Sequence, residues 1–166
     1  MKNILIVVLL LLSVLAHSQS LPSEVKAAVI VALKASDTDG VHEEGFKWGK
    51  DVQGHVLISM NKPGKPCMPG GTCSEIFEPA DPSIDEKLVT VDGFAHVHPC
   101  GNSTQQPVQV PSKTDFAFAA IGSPDTINMV IASKDQRIYY FNATGVTGSV
   151  KLKEFLAEVR SNGTAK

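Results

Sequence analysis

The chain has 166 residues with 15 basic and 17 acidic side chains, and its formal net charge at pH 7 is −2. A nearly balanced charge excludes a strongly basic surface, so we expect neither nucleic acid nor an anionic membrane as a partner. The length corresponds to one domain with a single hydrophobic core.

The first 18 residues have the pattern of a secretory signal peptide. Lys2 precedes an unbroken apolar run from Ile4 to Leu12, and Ala16-His17-Ser18 offers small residues where a signal peptidase cuts. The apolar run is too short to span a bilayer. We therefore expect cleavage near Ser18, a secreted or periplasmic protein, and one folded domain over residues 19–166 without membrane contact after cleavage.

Hydrophobic periodicity and turn residues predict the remaining elements. In chain order these are a helix over 22–35, a hairpin with strands near 44–48 and 55–59, a long loop over 61–83, a strand over 88–98, a loop over 101–111, a helix over 112–121 with Phe116, Ala119 and Ala120 on its buried side, strands over 127–132 and 137–141, and a helix over 150–159. Helices mixed with a largely antiparallel sheet indicate an α+β domain.

Two histidines at the end of a predicted strand are the first chemical signal. His96 and His98 follow the apolar run from Leu88 to Val91, and Pro99 ends the strand because it has no N–H for a ladder. Residues two apart on a strand point to the same face, so both imidazoles project together. Such a pair supplies two ligands of a zinc site.

A third ligand is expected from the helix that follows. Asp115 lies in its first turn, and Ser112 lies three residues earlier on the same helical face. The Ser112 hydroxyl could then donate to the oxyanion of a tetrahedral intermediate. Hydrolysis also needs a carboxylate base near the attacking water, and Glu43 and Glu44, at the start of the first strand, are both candidates.

These residues together resemble the JAMM motif of the JAB/MPN zinc metalloproteases. The resemblance rests on His96-x-His98-Pro99, on Pro111-Ser112-x-x-Asp115 and on an early glutamate, and it covers roughly residues 22–141. It implies a cytidine-deaminase-like, JAB-type fold in which a mixed, largely antiparallel sheet is flanked by helices. It also implies that His96, His98 and Asp115 bind Zn²⁺, that a glutamate activates water, and that Ser112 stabilises the oxyanion.

The activity implied by the resemblance is hydrolysis of a peptide or isopeptide bond in a peptide or protein substrate. The chain departs from the family in one spacing, because fourteen positions separate His98 from Ser112 where the family usually has eight. We expect the extra residues to extend the loop that precedes Ser112. The family's glutamate is usually followed closely by a glycine, a pattern that Glu43-Glu44-Gly45 fits slightly better with Glu43 as the base.

Three cysteines leave the disulfide pattern open. Cys67, Cys73 and Cys100 allow three pairings, each with one cysteine left over. We favour a Cys67–Cys73 disulfide, which closes a short loop and suits an exported protein. Cys100 would then be free, and a thiol two residues from His98 is itself a candidate nucleophile with a histidine base.

Non-catalytic explanations exist for the same residues. Ser112-x-x-Asp115 is also the pattern of a helix capping box, which needs no catalytic role. A periplasmic metal- or protein-binding module on an inactive JAB-like fold is therefore the main alternative to the hydrolase. The two differ in whether Glu43 or Glu44 lies within one water of the metal.

Overall fold

A computed structural model describes residues 21–37, 41–68, 72–74, 78–99 and 108–161. The elements in chain order are α1 (Ser23–Asp37), β1 (Gly45–Lys50), β2 (Val56–Met60), β3 (Lys65–Met68), β4 (Thr72–Ser74), α2 (Pro82–Asp85), β5 (Gly93–His98), α3 (Lys113–Ala119), β6 (Ile127–Ala132), β7 (Arg137–Asn142), β8 (Gly145–Lys151) and α4 (Leu152–Ser161). The fold is α+β, with an open, mixed and largely antiparallel sheet flanked by helices. The expected signal peptide lies outside the described residues.

Six of the described strands form one sheet in the order β2-β1-β5-β6-β7-β8. All neighbours are antiparallel except β5 and β6, which run parallel with His98 opposite Ala132. A parallel pair needs a crossover connection, and here that connection includes α3. Consequently β5 and β6 end at the same edge of the sheet, and the chain after His98 returns through α3 beside that edge.

The hydrophobic core lies on one face of this sheet, under α1 and α4. Phe46 and Trp48 on β1 share that face with Ala95 and Val97 on β5, because cross-strand partners point to the same side. The apolar side of α1 packs on them, and its members recur at helical spacing. The buried core residues are Val25, Ala28, Val29, Ala32, Leu33, Phe46, Trp48, Ala95, Val97, Met129, Ile131, Ile138, Leu152 and Phe155.

Helix α3 packs on the opposite face through aromatic side chains. The rings of Phe94 and Phe118 meet edge to face with centroids 5.0 Å apart, and those of Phe116 and Phe141 are 6.0 Å apart. The predicted buried side of this helix is only partly right, because Ala120 is exposed and Phe118 takes its place. The helix has seven residues and ends at Ala119, so Ala120 is its C-cap.

The strand that carries the histidines is shorter than predicted. The sequence indicated a start at Leu88, but β5 begins at Gly93. β6 begins at Ile127, opposite Gly93, so the preceding residues lack a neighbouring strand on that side. Val89 is instead bound to β1 by one hydrogen bond from its N–H to the carbonyl of Lys50, at 2.8 Å, and its side chain is exposed.

Residues 61–83 contain more structure than the predicted loop. β3 and β4 pair antiparallel, with Lys65 opposite Ser74, and Asp81 caps the short helix α2. Asp85 of α2 accepts a hydrogen bond from Ser59 at 3.0 Å and pairs with Lys47 at 2.6 Å, which fastens this segment to the sheet. Prolines and glycines dominated the sequence pattern here and concealed these elements.

The end of the chain also differs from the prediction. The sequence indicated a helix from Val150, whereas residues 145–151 form β8 and α4 begins at Leu152. Gly145 and Gly148 lower the apparent strand propensity of this segment. β8 forms nonetheless because it pairs with β7 up to Lys151, which lies opposite Arg137. None of the described helices combines the length and apolar character required to cross a membrane.

Candidate metal centre

The two histidines of β5 lie on the sheet face opposite the core. Val97 between them is fully buried in the core, so alternation turns His96 and His98 towards α3. The Nε2 atoms of the two imidazoles are 3.0 Å apart, and the ring planes are inclined by 51°. Their side chains are only 8% and 6% exposed. The pair is therefore set side by side in a largely desolvated position, as the spacing predicted.

Asp115 reaches this pair from the first turn of α3. Its Oδ1 lies 3.2 Å from Nε2 of His96, and its Oδ2 lies 3.7 Å from Nε2 of His98. Ser112 is the N-cap of the helix, and the two residues form a capping box. The N–H of Ser112 donates to Oδ2 of Asp115 at 2.5 Å, which fixes the carboxylate and leaves Oδ1 directed at His96.

The three side chains have the spacing of a zinc ligand set. One candidate ligand atom from each lies within 4.8 Å of the other two. Tetrahedral zinc with bonds of about 2.0–2.2 Å places its ligand atoms roughly 3.3–3.6 Å apart. The two imidazole Nε2 atoms are 3.0 Å apart, and Oδ1 of Asp115 lies 3.2 Å from Nε2 of His96, so both separations are close to this value, while the 3.7 Å distance to His98 is from the other oxygen, Oδ2. Two imidazoles and a carboxylate also match the donor types of catalytic zinc sites, so the residues fit a metal of this kind in chemistry and in spacing.

The electrostatic environment keeps two of the candidate ligands, His98 and Asp115, in the protonation states that bind a metal ion. Burial lowers the pKa of His98 from 6.5 to about 4, and the charge of His96 acts in the same direction against the opposing effect of Asp115. For Asp115, burial alone would raise the pKa, but hydrogen bonding to His96, the charge of His96 and hydrogen bonds from Ser112 hold it well below its usual range. At neutral pH, His98 is therefore neutral and Asp115 ionised.

The register of β1 against β5 separates the two glutamates. Gly45 lies opposite His96, and the N–H of Val97 donates to the carbonyl of Glu44 at 2.7 Å, which continues the ladder by one residue. Glu44 is thus the partner of Val97, on the core face. Alternation then assigns Glu43 to the face of His96. Both glutamates are buried at 8% exposure.

Ser112 lies beside the candidate ligand Asp115, and the capping box uses only the acceptor capacity of its hydroxyl. Its Oγ accepts a hydrogen bond from the N–H of Asp115 at 3.3 Å, so its own hydroxyl hydrogen can still be donated. The structure thus brings together His96, His98, Asp115 and Ser112 as the sequence predicted. Cys100, the alternative nucleophile, lies outside the described residues. Cys67 is buried, but the side chain of Cys73 is not described, so the disulfide pairing stays a prediction.

Gln109 is a residue near this site that the sequence did not indicate. Its side chain is 9% exposed and binds the ends of β5 and β6, whereas Val108 and Val110 on either side of it are exposed. A glutamine between two valines suggests the opposite arrangement, with the valines inside. The sequence therefore carried no signal for its position.

Comparison with known proteins does not add a family to these observations. A scan against protein-family models and a search of curated proteins both give no match to the chain.

Proposed function

We propose that the chain is an exported zinc-dependent hydrolase of peptide or isopeptide bonds, built on a cytidine-deaminase-like fold of the JAB/MPN type. The observation that carries the proposal is the convergence of two imidazole Nε2 atoms from β5 and one carboxylate from α3, within 4.8 Å of one another. The donor set has three protein ligands, which is the number that catalytic zinc sites use to keep one position for water or substrate.

His96, His98 and Asp115 would hold the ion. When bound, zinc supplies a Lewis acid that polarises the scissile carbonyl and lowers the pKa of the attacking water. The chain contributes a prearranged ligand set, because the sheet fixes the histidines and the capping box fixes the carboxylate. Ser112 donates its hydroxyl hydrogen to the oxygen that becomes negative as the carbonyl is attacked.

Glu43 is the better candidate for the general base. The strand register assigns it to the face of His96, whereas Glu44 falls on the face of Val97 in the core. In the proposed mechanism the Glu43 carboxylate takes a proton from the attacking water and returns it to the leaving amine.

The substrate class follows from export rather than from the site. A protein that leaves the cytoplasm meets cell-wall peptides, secreted proteins and the proteins of rival cells, and we propose one of these as the source of the peptide substrate. The proposal includes no nucleic acid partner, since the chain carries slightly more acidic than basic residues.

A non-catalytic metal-binding module is the second candidate, and the capping box favours it. The mutual hydrogen bonds of Ser112 and Asp115 give both residues a structural role that requires no chemistry. In that case the domain would bind the ion through the same three side chains, and neither Glu43 nor Ser112 would affect anything but stability.

The deciding experiment combines metal analysis with a peptidase screen on residues 19–166. We expect about one zinc per chain in the wild type, loss of the metal in His96→Ala, and retention in His55→Ala, whose imidazole is exposed on the β1–β2 turn. A wild type that is free of metal after purification without chelator would contradict the zinc site.

The enzyme and the binding module are then separated by two glutamate variants. Glu43→Gln should keep its zinc and lose hydrolysis of a fluorogenic peptide library by at least about a hundredfold, as expected for a general base. Glu44→Gln should keep both. Hydrolysis by none of the three proteins would favour the binding module, whereas equal turnover in all three would contradict the role of Glu43 as the base.

A further inference from the structure

Gln109 joins the ends of the two parallel strands beside the metal centre. Its Nε2 donates to the carbonyl of Pro99, which follows β5, at 2.8 Å. Its Oε1 accepts from the N–H of Lys134, which lies just beyond β6, also at 2.8 Å. Because Gln109 is buried, its amide takes the place of water as the hydrogen-bond partner of these two backbone groups.

These hydrogen bonds extend the contact between β5 and β6 past the last ladder pair. The N–H of Ser133 donates to the carbonyl of His98 at 3.1 Å, and the next carbonyl along, that of Pro99, is the one bound by Gln109. Pro99 is fully buried. The backbone on both sides of the His98 side chain is therefore held in place, and residues 108–110 are held against it.

The imidazole of His98 has a second nitrogen, Nδ1, besides the Nε2 atom that lies close to His96 and Asp115. Its Nδ1 is buried and has no partner in hydrogen-bond geometry among the described residues. The backbone of Val108 and Gln109 lies close enough to raise the pKa of His98, against the larger effect of burial. A ligating histidine usually donates its second ring N–H to such a backbone carbonyl, which fixes the tautomer and orients the ring.

We propose that Gln109 is a positioning residue for the metal centre: its amide holds the backbone of residues 108–110 against Nδ1 of His98, so that the proton resides on Nδ1 and Nε2 is directed at the metal position. The inference rests on the proposed zinc site for its functional meaning, but the tautomer of His98 is a property of the metal-free protein. Gln109 touches neither substrate nor metal in this arrangement, and it acts through His98.

The test replaces Gln109 by methionine, which has a similar length and no hydrogen-bonding amide. Asn128→Leu is the matched control, because Asn128 is another buried amide that donates to a backbone carbonyl, that of Thr126, at the far end of β6. Both variants and the wild type are compared by long-range proton–nitrogen NMR of the histidine rings without metal, by zinc competition with a chromogenic chelator, and by urea unfolding.

We expect His98 to carry its proton on Nδ1 in the wild type and in Asn128→Leu. In Gln109→Met it should populate both tautomers, and zinc affinity should fall roughly ten- to hundredfold, as seen for lost outer partners of metal ligands. Asn128→Leu should keep wild-type zinc affinity even where it loses comparable stability. If Gln109→Met keeps the Nδ1–H tautomer and wild-type zinc affinity, the proposal is wrong.

A second variant and a metal-free comparison keep the role of Gln109 testable if the first variant does not fold or the wild type binds no zinc. Should Gln109→Met fail to fold, Gln109→Glu replaces it, since a carboxylate retains the acceptor for Lys134 and loses only the donor to Pro99. The same change of tautomer is then expected, and an unchanged tautomer overturns the proposal. Should the wild type bind no zinc, the hydrolase proposal fails, while the tautomer comparison in metal-free protein still decides the role of Gln109.

Discussion

The buried neutral histidine predicts an acid-sensitive fold. In the folded protein burial lowers the pKa of His98 to about 4, from an ordinary value of 6.5. Above pH 6.5 the ring is neutral in both the folded and the unfolded state, so protonation of His98 does not reduce the free energy of unfolding there. Between these two values only the unfolded chain binds the proton, and the free energy of unfolding falls as the pH falls. At about 1.4 kcal/mol per pH unit the whole loss is about 3 kcal/mol, of which roughly three quarters is expressed by pH 4.5.

The assay is urea unfolding of metal-free protein at pH 7 and at pH 4.5. His98→Gln replaces the imidazole by an amide that does not titrate, so its stability should fall less than that of the wild type, by about 2 kcal/mol or roughly 5–10 °C in melting temperature. The pH range in which His98 lowers stability is distinct from that of Asp115. The pKa of Asp115 is also depressed in the folded protein, but its contribution to stability is lost only below the ordinary value of 3.8. His55→Gln should keep the wild-type pH dependence, because His55 is exposed. Equal losses in the wild type and in His98→Gln would refute the reasoning.

Three further outcomes follow from the same contacts. Zinc at a hundred times its dissociation constant should stabilise the wild type by about 2.7 kcal/mol in thermal unfolding, and His96→Ala should show no such gain. Ser112→Ala should lower the free energy of unfolding by about 1 kcal/mol because the helix cap is lost. If the hydrolase proposal holds, the same variant should also lower kcat a hundredfold or more, with zinc content unchanged. An added Cβ at Gly93 would lie 2.1 Å from the buried ring of Trp48, so Gly93→Ala should cost at least about 2 kcal/mol in urea unfolding, whereas Gly148→Ala, with open space around it, should cost far less.

The candidate ligands could be predicted because each depends on a local geometric rule. The alternation of β5 sets His96 and His98 on one face, and the first turn of α3 sets Ser112 and Asp115 together. Such rules hold even where an element boundary is wrong, and β5 begins at Gly93 rather than at the predicted Leu88. The prediction of the candidate ligands required only that the strand extend to His98 and that the helix begin near Ser112.

Features that depend on pairing partners could not be predicted in this way. β8 contains Gly145 and Gly148, and it is a strand because β7 lies beside it. The choice between Glu43 and Glu44 likewise needs the register of β1 against β5, since alternation alone places the two on opposite faces without saying which face holds the histidines. Gln109 is the extreme case, because its partners follow two strands that are distant in sequence.

The capping box and the metal site are not competing explanations of Asp115, because they use different atoms of it. Oδ2 receives the N–H of Ser112, which is the capping interaction, while Oδ1 faces Nε2 of His96. A carboxylate side chain that samples several rotamers would lose conformational entropy when it bound an ion. Here the capping hydrogen bonds have already fixed the rotamer of Asp115, so the same contacts that stabilise α3 also preorganise the candidate third ligand. The capping box of Ser112 and Asp115 is therefore compatible with a metal site at Asp115.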